Sequence, residues 1–285
     1  MRVSVRWLQL VPAYVVHPRV ETVEADVQGY HWTGCRLLEG VPQAVREIEA
    51  RVDVSLFRRE VLRSIVVARE FETPSKENGL PPLSYAANLL RHVLMSVFSR
   101  APSYPQLQNL HLAQGLSVSG SWMCHGHRMA VSGRPGDMLL SRHPLPPLFS
   151  PEEAESAQTV ATPTRELFTD LKQWEICDWA EEERDKDSEG KEEDEEGSGG
   201  TVETFPHLHT LFMVSKSHLW EVQQIQKGLL FLFSRLVEEG VSRYGSGVMR
   251  EGARLPHPLC GQCVVTDGRS VTLMWLQMSS LNVEG

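Results

Sequence analysis

The stretch from 219 to 243, LWEVQQIQKGLLFLFSRLVEEGVSR, restricts the available folds more than any other part of this chain. Val222, Ile225, Leu229, Leu232 and Leu236 recur every three or four residues and form one apolar stripe. Phe231 and Phe233 make the middle of the segment apolar nearly all round. A helix of that kind needs cover on several sides, so the pattern predicts a central core helix. On its N-terminal side HLHTLFMVS (207–215) reads as a buried strand. On its C-terminal side Val264 and Val265 lead into Asp267-Gly268, and Val271, Leu273, Trp275 and Gln277 lead out. An Asp-Gly pair between β-forming runs predicts a hairpin with a two-residue turn. An isolated hairpin is barely stable in water, so this one is expected to pack on the long helix.

The first hundred residues have a different texture. Leu38, Val41, Val45, Ile48 and Val52 form one stripe, with Pro42 in the first helical turn. Ser55 is a candidate cap for a second helix with Phe57, Val61, Ile65 and Ala68 inward. After the Pro- and Gly-punctuated loop 73–82, Ser84 is a candidate cap for a third helix with Ala86, Leu90, Val93 and Val97 inward. GLSVSGSWM (115–123), CHGH (124–127) and RMAVSG predict another hairpin. SRHPLPPLF is loop, and SPEEAESAQTVA (150–161) opens like a helix, with Ser150 as cap and Pro151 in the first turn. LKQWEICDW (171–179) reads as a strand. No internal repeat is present.

These elements predict an α+β fold: a helical N-terminal part, then a mixed or antiparallel sheet with hairpins around a long central helix. The expected divisions are an N-terminal segment at 1–34, a helical region at 35–100 and an α+β region at 101–285, together one composite domain.

Charge is concentrated in one place. Residues 180–200 carry eleven acidic and three basic side chains, which accounts for −8 of the chain's formal −9. Like-charge repulsion and the GSGG tail predict a solvated acidic loop there, and a nearly neutral body. A strongly basic nucleic-acid binder is not what this balance suggests. The longest dense apolar run, Leu229–Phe233, is five residues, far short of a membrane span, so a soluble protein is expected. Five cysteines spread through 285 residues argue for a reducing compartment rather than a disulfide scaffold. The first twenty residues contain Arg2, Arg6 and Arg19 and no acid, compatible with a mitochondrial transit peptide or an ordinary basic segment.

Candidate chemistry is sparse. Cys260 and Cys263 form a CxxC, and Cys124 with His125 or His127 could complete a zinc site. If both CxxC cysteines lie in a strand, however, positions i and i+3 point to opposite faces and cannot chelate together. A thiol-redox motif also needs a helix N-terminus, whereas a strand follows here. His92, His111, His125, His127, His207, His209 and His218 show no partnered carboxylate or nucleophile motif; His207 and His209 are expected on one strand face. Ser119-Gly-Ser121 lacks the flanks of a nucleophile elbow. The pairs Glu152/Glu153 and Glu238/Glu239 are expected at helix ends, serving capping or solubility. No catalytic residue, metal site or cofactor is therefore expected. Arg58, Arg59, Arg63 and Arg69 could reach phosphate from one helix, or form a solvated face.

Four ordered stretches go beyond generic pattern. They are CRLLEGVPQAV (35–45), SRHPLPPLFSPEEAESAQ (141–158), FPHLHTLFMVSK (205–216) and VVTDGRSVTLMWLQMSSL (264–281). Together they resemble the mitochondrial large-subunit ribosomal protein 37 family, related to mitochondrial ribosomal protein 30, which has a similar TDGR hairpin. The matching residues are Thr266, Asp267, Gly268 and Arg269, then Leu276, Gln277 and Met278. The resemblance implies a non-catalytic component of the large subunit in the mitochondrial matrix. Its partners would be other mitochondrial ribosomal proteins, including the related protein 30, with limited ribosomal RNA contact. Family members extend further at both ends, so the resemblance also implies a truncated form; the acidic loop departs from the family pattern. Two alternatives stand beside it: a zinc- or thiol-dependent enzyme using Cys124, His127, Cys260 and Cys263, and a free-standing scaffold baited by the acidic loop.

Overall fold

A computed structural model describes residues 13–15, 30–31, 33–35, 47, 54–70, 83–99, 105–124, 127–150, 172–174, 204–215, 221–249 and 254–281. The elements in chain order are β1 (Ala13–Val15), α1 (Val54–Glu70), α2 (Leu83–Phe98), a short 3-10 turn (Pro105–Asn109), β2 (Leu110–Ala113), β3 (Val118–Cys124), β4 (His127–Gly133), β5 (Gly136–Ser141), β6 (Lys172–Trp174), β7 (His207–Val214), α3 (Glu221–Tyr244), a second 3-10 turn (Ser246–Met249), β8 (Leu259–Thr266) and β9 (Val271–Met278). The α+β class and the long helix are as expected. The helix expected across 36–53, apart from Glu47, lies outside the described residues, as do the helix at 150–161, the acidic segment, and most of the strand expected at 171–179.

The strands form two sheets. One has five strands in the order β2-β5-β7-β8-β9, and the other has four in the order β3-β4-β1-β6. The larger sheet is mixed: β7 and β8 run parallel, and the remaining pairs are antiparallel. A parallel pair needs a crossover, and α3 supplies it. The helix lies between the sheets, touching β3 and β4 on one side and β7, β8 and β9 on the other. That placement explains its nearly continuous apolar circumference: Leu229, Leu230, Phe231, Leu232, Phe233, Leu236 and Val237 are all buried. On the smaller sheet's side Trp122 meets Phe233 edge-on, with ring centroids 4.9 Å apart. Gly120 is needed there because a Cβ would collide with the main chain and hydroxyl of Ser234.

The opposite face of the larger sheet is covered by α2. Leu94 packs with Leu139 and Phe212, bordered by Leu90, Phe98 and Val264. α1 packs in turn on α2, turning Ser64 and Ala68 inward. α1 and α2 begin at Val54 and Leu83, so Ser55 and Ser84 stand one residue inside the helices rather than ahead of them.

Three local expectations need correction. The β8–β9 loop has four residues, not two, because Thr266 pairs with Val271. The Asp267 carboxylate accepts from Arg269 N, Ser270 N and Ser270 Oγ at 2.8, 2.7 and 3.0 Å, and these bonds stabilise the wider turn. Burial opposes ionisation of Asp267, yet those hydrogen bonds prevail and hold its carboxyl below the usual range. Gly268, at φ +85°, takes the left-handed position and abuts Tyr85 and Ala86 of α2. Second, the histidines of β7 do not share a face by simple alternation: Leu140 pairs with Leu208 and Leu139 with Thr210, so His209 is a bulge residue. Third, β2 and β5 were absent from the predicted elements. Met138, Leu139 and Leu140 are buried on both faces of β5 and lack the alternation that marks a half-buried strand.

Candidate functional site

α3 is joined to both sheets by polar side chains. Toward the small sheet, Ser234 Oγ accepts from Gly120 N at 2.7 Å and donates to Val131 O at 3.2 Å. One turn further, Glu238 accepts from Ser119 N and pairs with Arg235 at 3.4 Å. Burial pushes the Glu238 carboxyl up, and Arg235 and Ser119 N offset only part of that. Toward the large sheet, Glu239 is 4% exposed and accepts from Leu208 N at 2.9 Å. Its other oxygen is 2.9 Å from His207 Nδ1 and 3.2 Å from Arg243 Nη1. Glu238 and Glu239 are therefore not end caps. They bind main-chain N–H groups of facing strands from within the last third of the helix.

The sequence carried a signal for Glu239. It follows Leu232 by seven residues and Leu236 by three, which places it on the apolar stripe. A carboxylate on a buried stripe must find donors, and His207 and Leu208 provide them.

The candidate metal and thiol residues are dispersed. Cys260 and Cys263 both lie in β8, where alternation sends them to opposite faces. Cys263 packs beside Gly228 of α3, and burial drives its thiol far above the ordinary range. Burial, reinforced by Glu239, pushes Cys260 up to about 12. Cys124 ends β3 in the other sheet and donates to His31 O at 3.5 Å. The His127 side chain and His125 lie outside the described residues, as does His218. Among the described residues no three potential ligands gather to hold a metal ion. Elevated thiol values disfavour the thiolate that nucleophilic chemistry requires.

The other singled-out side chains have local roles. His209 Nδ1 lies 2.8 Å from Thr210 Oγ1, and burial lowers its pKa. His111 stacks on Phe205 at 5.4 Å, and Arg142 covers the same ring at 5.1 Å. His92 is half-buried on α2. Among the described residues no helix is long and apolar enough to cross a membrane.

Large apolar side chains are exposed on β9 and on α1. Val271 and Leu273 on the edge strand β9 are 63% and 75% exposed. Leu62 and Val66 on α1 are 54% and 58% exposed, and Arg58, Arg59, Arg63 and Arg69 are exposed around them.

No family model matches the chain. It is similar to Large ribosomal subunit protein mL37 of Rattus norvegicus, 24% identical over 277 residues, and of Mus musculus, 24% identical over 279 residues. The Gallus gallus protein of the same name is 22% identical over 286 residues. Each alignment covers 95% of this chain but 61–62% of the relative, so the chain spans about three-fifths of their length. The similarity first drawn from the four ordered stretches thus extends over nearly the whole chain, to proteins named Large ribosomal subunit protein mL37.

Proposed function

We propose that this protein is a structural component of the mitochondrial ribosome's large subunit. It supports translation in the matrix by shape and contact, and catalyses no reaction. The similarity to mL37 proteins across 95% of the chain carries this reading. The disposition of reactive groups supports it physically. The buried carboxylates Glu238 and Glu239 hold strand N–H groups, and the core thiols sit where burial keeps them protonated.

Neighbouring mitochondrial ribosomal proteins, including the related mitochondrial ribosomal protein 30, are its proposed partners. The exposed apolar side chains Val271 and Leu273 are suited to such contacts, because large apolar groups side by side on an edge strand favour cover. The helical region at 35–100 and the α+β region at 101–285 act as one composite unit in this reading, supported by the packing of α2 on the large sheet. The test is sedimentation of the tagged chain from lysed mitochondria. Co-migration with the large subunit is expected; a chain that stays at the top of the gradient overturns the proposal.

A further inference from the structure

We propose that the exposed face of α1 docks in the shallow groove of double-stranded RNA, with arginines reaching the phosphate backbones on both sides. This rests on the ribosomal role proposed above and specifies a surface for it.

The geometry follows from helical periodicity. At 3.6 residues per turn, Leu62 and Val66 lie nearly above one another and form an apolar ridge. Arg58 and Arg69 fall on one flank of that ridge, and Arg59 and Arg63 on the other. All four arginines are exposed. The opposite side of the helix is held against α2 through Ser64 and Ala68, so among the described residues the ridge faces outward. Glu60, the one acid whose side chain is described in α1, lies well round from the ridge; it is 3.9 Å from Arg59, whose own side chain is 73% exposed while that of Glu60 is 20% exposed. Such a pair holds the guanidinium weakly. From Arg58 to Arg69 the helix rises through eleven steps, or about 16 Å.

Two basic rows separated by an apolar ridge complement two phosphate strands separated by a groove. In A-form RNA the wide, shallow groove displays ribose 2′-hydroxyls and base edges, and a helix lying along it would turn one basic row toward each phosphate strand. The aliphatic ridge would meet sugars, while each planar guanidinium can hold a phosphate with paired hydrogen bonds. Leucine and valine offer no hydrogen bonds to base edges, so binding would be independent of base sequence. The near-neutral body of the chain does not oppose this, because the relevant charge is local to α1.

The test is a fluorescence-anisotropy titration of the purified full chain against a labelled RNA duplex of about 16 base pairs, repeated over a range of salt. Four phosphate contacts give a log–log salt slope of about −3.6, a loss of roughly a hundredfold in affinity between ~50 and ~200 mM. Replacing Arg58, Arg59, Arg63 and Arg69 together by Gln should abolish most of that slope. The corresponding Lys variant should retain the slope with weaker binding, and two duplexes of unrelated sequence should bind alike. A Gln variant with the wild-type slope overturns the inference. So does crosslinking within isolated large subunits that joins α1 peptides to protein and not to nucleotides. Absence of the wild-type chain from the large-subunit fraction refutes the ribosomal role instead, whatever the duplex titration reads.

Discussion

Replacing Glu239 by Ala removes a side chain that joins the last third of α3 to the start of β7. Three donors lose their acceptor at once: Leu208 N, His207 Nδ1 and Arg243 Nη1. Leu208 is 1% exposed, so its N–H would be left without water or partner, at about 1–3 kcal/mol. His207 is 9% exposed and loses the carboxylate oxygen facing its Nδ1, a comparable cost of roughly 1 kcal/mol. Arg243 keeps a quarter of its side chain in solvent and can turn outward, so its share is small. The sum is about 3 kcal/mol, on the order of 6–10 °C in Tm for a chain of this size. Glu239→Gln keeps the volume. Its carbonyl can still accept from Leu208 N, and its amide can donate to His207 in the other imidazole tautomer, so the expected cost is only about 1 kcal/mol. Urea unfolding followed by tryptophan fluorescence is a suitable assay, since Trp122 is fully buried against Phe233 on the same helix. Amide exchange should also show the Leu208 N–H losing protection in the Ala variant. An Ala variant within about 0.5 kcal/mol of wild type, or a Gln variant as damaging as Ala, would refute the assignment of stability to these hydrogen bonds.

Two further outcomes follow from the same helix and its neighbours. Gly120→Ala drives a Cβ into Ser234 and should cost about 2–3 kcal/mol by urea unfolding, whereas Gly115→Ala, at φ +66° with open space around it, should cost only the ~1 kcal/mol of a left-handed alanine; equal losses would contradict the close approach. Glu238 has a folded-state pKa raised by burial, so its contribution to stability is complete below the unfolded value and is lost as pH rises through the folded one. Thermal melts between about pH 4 and 7 should show Glu238→Gln flattening that decline, and an unchanged pH slope would count against it.

The framework of this fold was legible where one element contrasts with its surroundings. The stripe of Leu229, Leu232 and Leu236 marked a central helix, and α3 is covered by a sheet on each side. The β-forming run after Asp267-Gly268 marked β9; in the structure Leu276 and Met278 are buried, Met274 is half-buried, and Val271 and Leu273 are exposed. Neither signal exists for β5, where Met138, Leu139 and Leu140 are buried in succession, or for β2, which has four residues. Of the inward stripe expected on α1, Ala68 is fully buried and Val61 and Ile65 are half-buried. Its complement held more information than the stripe itself: an inward face so assigned leaves Leu62 and Val66 among the arginines, outside.

The polar contacts were hidden for a different physical reason. Ser119 and Glu238 are 119 residues apart, and Gly120 and Ser234 are 114 apart. A hydrogen bond across that separation leaves no periodic trace, because each end satisfies a local pattern on its own. Glu238-Glu239 resembles a solubilising pair near a helix terminus until facing strands are set beside it. Only a carboxylate falling on an apolar stripe betrays its burial, as Glu239 does and Glu238 does not. The same separation gives these bonds their structural consequence. Each one fixes the long helix against a strand from a remote part of the chain, so α3 holds the two sheets in register through directional bonds as well as through apolar packing. Hydrogen bonds have narrow distance and angle requirements that the non-directional hydrophobic effect lacks, so Ser234, Glu238 and Glu239 each add a preferred axial position to the close packing of the helix.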